Sequence, residues 1–321
     1  MMKKYIGLAL AIVLLTNCNQ KKAGVPVVGF VDAFEDNTIE QAKTGFTDAL
    51  KKNGFDEKEG NIKILYRNAQ GSIPTLTQIV KYFIAEKVDL LATNASLSTI
   101  TALQNTKTIP VFMMVSPTPA LMKLVDSSGT GPANLFGVGE ELSYIDTSFL
   151  LIPRLVKPRG AKLKVGMIFN QSEPQSVEAM DRISQLAAAN NIELVSLPIN
   201  TSADVQLITA SLLSNGIDAF FANPDNTVFA SFETIVRACN KAAVPVFTSE
   251  AGLVARGAVA AYGADIYQWG YQAGEQAAQY LKASDKTGFK WEMVKLRRKV
   301  YNEAAATTFH ISIPPGFEAI K

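Results

Sequence analysis

Histidine is almost missing from this 321-residue chain, which carries only His310, and cysteine is scarce, at Cys18 and Cys239. A zinc site built on several imidazoles or on a thiolate cluster is excluded by those counts. His310 lies near the C-terminus in Thr308-Phe309-His310-Ile311-Ser312, where a surface or packed role is expected rather than catalysis. No Gly-x-Ser-x-Gly elbow and no Walker A loop occurs, which removes serine-hydrolase and P-loop chemistry. Gly137-Val138-Gly139 opens like a dinucleotide turn, but the third glycine is absent and Glu140-Glu141 would repel a pyrophosphate. Those two glutamates read as a solvated pair at a helix start. No cofactor and no metal are expected.

Long apolar runs are absent too. The longest stretch, residues 6–15, is too short to span a bilayer and follows the basic Lys3-Lys4. It reads as the core of a signal peptide over residues 1–17. Leu15-Thr16-Asn17-Cys18 resembles a lipobox, which makes Cys18 a lipidation site and residues 18–25 a lipidated cysteine with its tether. The expected address is the cell envelope, outside the cytoplasmic membrane, with the lipid as anchor. The formal charge of +2 falls to near zero once Lys3 and Lys4 leave with the signal. Nucleic acid is therefore not an expected partner. Cys239, left alone, reads as a buried thiol with no disulfide.

What the sequence does contain is alternation of strand and helix. Strands are expected at residues 26–32, 62–66, 88–92 and 109–115, with helices at 37–52, 75–85 and 96–104 between them. The strands are nearly continuous apolar runs, as in a parallel sheet covered on both faces. The grammar repeats, with strands at 163–169, 192–197, 217–222 and 244–248 and helices at 175–189, 204–213 and 228–241. Lys87-Val88-Asp89-Leu90-Leu91-Ala92-Thr93-Asn94 matches Gly216-Ile217-Asp218-Ala219-Phe220-Phe221-Ala222-Asn223, and Ile109-Pro110-Val111-Phe112 matches Val244-Pro245-Val246-Phe247. The fold class is α/β, with two Rossmann-like lobes of parallel sheet joined by a hinge of several crossovers. Lobe I is assigned to 26–138 with about 263–290, and lobe II to 139–262 with about 291–321. The junction lies near residues 127–132, then 134–138, where glycines give soft backbone; it reads equally as a hinge or a plain surface turn. Residues 258–262 have no apparent counterpart in the first half and, with a helix at 266–281, would return the chain to lobe I.

In an open parallel sheet a ligand sits beyond the carboxyl ends of the strands. That rule nominates Asp32, Thr93, Asn94, Ser96 and Ser116 in the first half and Asn170, Ser172, Glu173, Asp225, Asn226 and Glu250 in the second. The set suits a small zwitterion. Ser96 and Ser98 open a helix, whose free N–H groups attract a carboxylate. Asp225 or Glu250 could accept from an ammonium group. Phe30, Phe34, Phe169 or Phe221 could supply an apolar wall. Against this, Ser96, Asp225 and Asn226 are also good helix caps, and Phe221 is good core material.

Several words of the sequence carry a family likeness. They include Tyr66-Arg67-Asn68-Ala69-Gln70-Gly71, Val165-Gly166-Met167-Ile168-Phe169-Asn170, Pro224-Asp225-Asn226-Thr227-Val228 and Gly270-Tyr271-Gln272-Ala273-Gly274. In this order and spacing the chain resembles the tryptophan/tyrosine type of ABC transporter substrate-binding proteins, which have the type I periplasmic-binding fold. The resemblance implies lobes that close on a small molecule and then dock on a permease with its ATPase. It places the pocket around Thr93, Ser96, Asn170, Ser172, Glu173, Asp225, Asn226 and Glu250. The chain departs from the family pattern at residues 30–36 and at Ser116-Pro117-Thr118-Pro119, both flanking that pocket.

The expected function is a monomeric solute-binding lipoprotein of an ABC importer, which captures an amino acid or a similar small organic solute and is not an enzyme. A same-fold receptor feeding a sensor system stays open as an alternative, and so does an extracytoplasmic enzyme on this scaffold.

Overall fold

The computed structural model describes residues 24–320. Residues 1–17, read from the sequence as a signal peptide, and Cys18, read as a lipidation site, lie outside the described residues. Among those described, no helix is long and apolar enough to cross a membrane.

The first lobe is built from β1 (Val27–Asp32), α1 (Asn37–Lys52), β2 (Lys63–Asn68), α2 (Ile73–Ala85), β3 (Leu90–Asn94), α3 (Ser96–Asn105), β4 (Val111–Pro117) and β5 (Leu135–Glu140). The chain then crosses to the second lobe. There it forms α4 (Tyr144–Phe149), α5 (Ile152–Leu155), β6 (Lys164–Asn170), α6 (Pro174–Ala189), β7 (Glu193–Ile199), α7 (Val205–Ser214) and β8 (Ala219–Ala222). It continues through α8 (Asn226–Ala230), α9 (Phe232–Lys241), β9 (Val246–Thr248), α10 (Ala251–Ala255) and β10 (Ala260–Ala264). Helix α11 (Ile266–Lys282) and β11 (Glu292–Met293) return to the first lobe, and β12 (Arg297–Asn302), α12 (Glu303–Thr308) and β13 (Glu318–Ile320) finish in the second.

The first sheet has the order β2-β1-β3-β4-β5-β11, with every pairing parallel. The second runs β7-β6-β8-β9, also parallel, and is continued by β10 through Val259 N–H to the Val246 carbonyl and Ala264 N–H to the Ser249 carbonyl. Strand β12 pairs antiparallel with β10, and β13 parallel with β12. The two halves therefore share one winding, β2-β1-β3-β4-β5 against β7-β6-β8-β9-β10. The word repeats fall on equivalent strands, β3 with β8 and β4 with β9. Strand β10 is the counterpart of β5, so residues 258–262 do have a partner in the first half.

Two elements differ from the sequence reading, and at residues 127–132 the turn is found rather than the hinge. Residues 135–140 form a fully buried strand, with Gly137 at φ +91° where a Cβ would strike the Met113 backbone. The glycines that suggest a loop are there for close approach. Residues 127–132 are a surface turn of the first lobe, in which Asp126 accepts from the Ser128 and Thr130 N–H groups. The crossings lie elsewhere, at 140–144, 264–266 and 293–297, so β11 at Glu292–Met293 still belongs with the first sheet. The helix expected at 228–241 is broken at Ser231 into α8 and α9.

Helix α11 covers the first sheet by lying against α1 at backbone distance. A Cβ on Gly45 would strike the Tyr267 carbonyl, and one on Gly270 or Gly274 would strike α1 at Ala42 or Phe46. Gln276 on the same helix accepts from Gly137 N–H at 2.6 Å, and the Trp269 indole donates to the Val138 carbonyl at 2.9 Å. α11 thus ties itself to β5, the strand that leads into the first crossing.

Candidate functional site

The carboxyl ends of β3 and β4 face those of β6, β8 and β9 across a cleft. At its base is a cavity to which both lobes contribute. Ser96, Val115, Ser116 and Pro117 line it from the first lobe, and Gln175, Asp225, Asn226, Phe229 and Glu250 from the second. Glu140, Leu142 and Tyr144 reach it from the first crossing and Trp269 from α11. A wider opening lies further out, between Phe34, Gly71 and Leu97 on one side and Asn170, Ser172, Glu173 and Thr227 on the other.

The sequence-nominated residues separate into three groups. Ser96, Ser116, Asp225, Asn226 and Glu250 line the inner cavity, and Asn170, Ser172 and Glu173 line the outer opening. Asp32, Thr93 and Asn94 line neither. Thr93 is buried, its hydroxyl bonded to that of Thr99 at 2.9 Å, which ties β3 to α3. The Asn94 amide donates to the Ile39 carbonyl at 3.0 Å. Burial pushes Asp32 up to about 6, against the hydrogen bonds of Tyr66 and Asn94. These residues stand behind the wall and hold it. Of the aromatic candidates, Phe30, Phe169 and Phe221 are core and Phe34 lines only the outer opening. The inner aromatic wall is instead Tyr144, Phe229 and Trp269. The strand-end rule misses Tyr144 and Trp269 because they come from a crossing and from a returning helix. Phe229 lies three residues beyond the nominated Asn226, within α8.

The three carboxylates of the second lobe differ in what they have left to offer. Asp225 caps α8: one oxygen accepts from Thr227 N–H at 2.8 Å and Val228 N–H at 2.9 Å. The other accepts from Asn170 N–H at 2.6 Å and the Ser176 hydroxyl at 2.5 Å. Glu173 is equally occupied. It accepts from the Asn226 N–H at 3.0 Å, the Asn226 amide at 2.7 Å, the Gln175 amide at 2.6 Å and the Thr227 hydroxyl at 3.1 Å. Burial, and then the Asp225 charge, hold Glu173 above the ordinary carboxylate range; burial does the same to Asp225. Glu250 alone has a free oxygen. Its Oε1 accepts from the Tyr144 hydroxyl at 2.7 Å, while its Oε2 is buried with no partner. Burial pushes Glu250 up to about 8.

Glu140 is not a solvated residue. It ends β5, fully buried, and Arg297 on β12 grips both its oxygens at 2.7 and 3.1 Å. The pair ties the first crossing to the last.

On the opposite side, α3 begins without a side-chain cap. Ala95 before it sits at φ +65° and Val115 beside it at φ +50°, an unusual setting for a β-branched residue. The uncapped start leaves N–H groups free for an anion. Ser98 Oγ there is also buried without a partner. The cavity thus combines an anion-seeking helix end, a lone carboxylate oxygen and an aromatic wall. Among the described residues no cluster of His, Cys, Asp or Glu could hold a metal ion.

Two twinned parallel sheets, a cleft between their strand ends and crossings that meet at one side define a two-lobed receptor of the type I periplasmic-binding class. The chain belongs to the family described as "ABC transporter substrate binding protein", whose profile matches residues 26–318. A tyrosine-binding protein of Clostridioides difficile is 33% identical over 255 residues, covering 79% of this chain and 72% of the relative. A conserved domain protein of Vibrio cholerae superposes with a TM-score of 0.82 at 28% identity, over 92% of this chain and 100% of that one. A Streptococcus pneumoniae ABC domain in complex with L-Trp shares the fold, with a TM-score of 0.80 at 20% identity over 92% of this chain and 99% of that one.

Proposed function

We propose that this chain is the extracytoplasmic receptor of an ABC importer and that its cargo is an amino acid with an aromatic or large apolar side chain. The observation that supports this most is the inner cavity, where both lobes contribute to one chamber. Its first-lobe side offers the free N–H groups of α3 to a carboxylate, and Trp269, Phe229 and Tyr144 form an apolar wall. The tyrosine-binding relative points to the same class of cargo. Contacts from both lobes favour the closed form, so capture needs a shift in population and no chemical step. The receptor acts as a monomer, is held to the membrane by lipid on Cys18 and has no catalytic role.

The test is calorimetry and thermal denaturation of the protein against the twenty amino acids, with nucleosides and sugars as controls. An aromatic or large apolar amino acid should raise the melting midpoint in proportion to the logarithm of its concentration. A response confined to sugars or nucleosides, or none at all, would sink the reading.

A further inference from the structure

The charges of the chain nearly cancel in sum, at +2, but they do not cancel locally. Between Asp146 and Glu173 there is no acidic residue, while Arg154, Lys157, Arg159, Lys162 and Lys164 all fall in that stretch. The basic part runs from α5 into β6. It therefore lies at the amino ends of the second sheet, on the side of the lobe remote from the cleft. Asp218, just before β8, fixes it there. One Asp218 oxygen accepts from Arg159 N–H at 3.0 Å and the other from Lys164 N–H at 2.9 Å. The Arg159 guanidinium donates to the Ala243 carbonyl at 2.7 Å, which brings the loop beside Lys241 at the end of α9.

Asp89 is the counterpart of Asp218 in the repeated word, and it accepts from Val27 N–H at the start of β1 in the same way. The two lobe ends are thus built alike but charged differently. At the amino ends of the first sheet, Asp56, Glu57 and Glu86 are interleaved with Lys58, Lys63 and Lys87. At the end of the second lobe, the acids that meet the cations are Glu193, paired with Lys164 at 3.0 Å, and the buried Asp218, 3.9 Å from Arg159 Nε. Arg154, Lys157, Lys162 and Lys241 are exposed and have no ion-pair partner among the described residues. These like charges repel one another, and the protein supplies nothing to offset that.

We propose that the basic end of the second lobe is a contact surface for an anionic phospholipid membrane. A receptor that delivers cargo to a permease works beside such a surface, and the proposal rests on the receptor reading for that setting alone. Headgroup phosphates are many and free to move laterally, so they can match cations set on a loop and a helix end without a built pocket. The contact leaves the cleft free, because the cleft lies at the carboxyl ends of the same strands. It gathers the receptor at the membrane whichever cargo fills the cavity.

The experiment is co-sedimentation of the chain from residue 18 onward, as Cys18→Ser so that no lipid is attached. Vesicles of phosphatidylcholine alone are compared with vesicles in which about a third of the lipid is phosphatidylglycerol. The protein should bind the anionic vesicles in dilute salt, leave them in concentrated salt and ignore the neutral ones. Lys157→Ala, Lys162→Ala and Lys241→Ala together should weaken binding roughly a hundredfold, about fivefold for each charge removed. The melting midpoint of that triple variant should stay as in wild type. Lys58→Ala, Lys63→Ala and Lys87→Ala together, at the end of the first lobe, should change binding little. Equal binding to both kinds of vesicle, binding to neither, or an equal effect of the two triple variants overturns the proposal. So does full release by inorganic phosphate at constant ionic strength, the sign of an ion pocket. Retention on soluble polyglutamate without vesicle binding also overturns it, and points to an acidic protein partner. Binding is read without cargo, so a failure here leaves the importer reading standing, and the absence of an amino-acid cargo leaves the vesicle result standing.

Discussion

Arg256, at the end of α10 in the second lobe, reaches Asp36, at the cap of α1 in the first, with 2.7 Å between Nη1 and the Asp36 oxygen. Arg256 is positioned from its own lobe by both Glu233 oxygens, at 2.7 and 2.9 Å, and by the Phe229 carbonyl at 2.9 Å. It arrives at the first lobe with its geometry preset and takes Thr38 Oγ1 as well, at 2.9 Å. The Asp36 oxygen that does not meet Arg256 accepts from Thr38 and Ile39 N–H groups, so one carboxylate both starts α1 and joins the lobes.

Asp36→Asn separates those two tasks. Asparagine is as good an N-cap as aspartate, so the first lobe should keep its stability. The charge on Arg256 loses its partner across the cleft, and the closed form weakens by about 1 kcal/mol. Cargo affinity measured by calorimetry should fall roughly fivefold, and added salt should affect it less than in wild type. Unchanged affinity would mean that the lobes meet without help from this pair.

Gly252→Ala probes the same seam by shape. A Cβ there would sit 2.5 Å from Thr38 Cγ2 in the other lobe. Alanine also favours helix over glycine by about 1 kcal/mol. The variant should therefore melt at the same temperature or higher without cargo, yet bind cargo more weakly. Adding Thr38→Ser, which removes Cγ2 and keeps the hydroxyl for Arg256, should restore affinity. Failure of that rescue would show that the loss has another origin.

Without cargo, the protein should become less stable as pH rises. Asp32 and Glu250 are both raised, to about 6 and about 8. A raised carboxyl holds its proton in the folded state after the unfolded chain has lost it, so its contribution is full below the unfolded value and fades as pH climbs through the folded one. The window runs from about pH 4 to pH 8, and the loss is on the order of a few kcal/mol across it. Urea melts at pH 5 and pH 8 check the sign. Asp32→Asn should flatten the lower part of the curve, and Glu250→Gln should reduce the slope of the upper part, to which the buried Glu173 also contributes.

Cys239 is buried in α9, and burial pushes its thiol up to about 12. It should be inert to Ellman's reagent in the folded protein and react only at the rate of unfolding. A Cys18→Ser background makes the measurement specific. Rapid labelling under native conditions would contradict the packing of α9.

The architecture was legible in the sequence because buried parallel strands write themselves as apolar runs, and because β3 and β8 carry nearly the same word. The strand-end rule then led to Ser96, Asn226 and Glu250. It could not tell that Asp225 spends both oxygens on its own lobe, since the donors at Asn170 and Ser176 come from a different strand and helix. Nor could it pair Glu140 with Arg297, which lie 157 positions apart. β5 was hidden by Gly137 and Gly139, whose small size serves the approach of Met113 and says nothing local about strand or loop. What was missed came from the crossings and from α11, where tertiary contacts and not local pattern choose the residues.

The glycine seam between α1 and α11 also fixes the order in which the protein can be made. Residues Gly45 and Phe46 leave the ribosome early, but the helix that shields them ends at Lys282. The second lobe waits as well, because β10 is covered on its open edge only by β12, which ends at Asn302. Neither half can close its core during synthesis. Completing either core therefore depends on contacts between segments far apart in sequence, which form slowly.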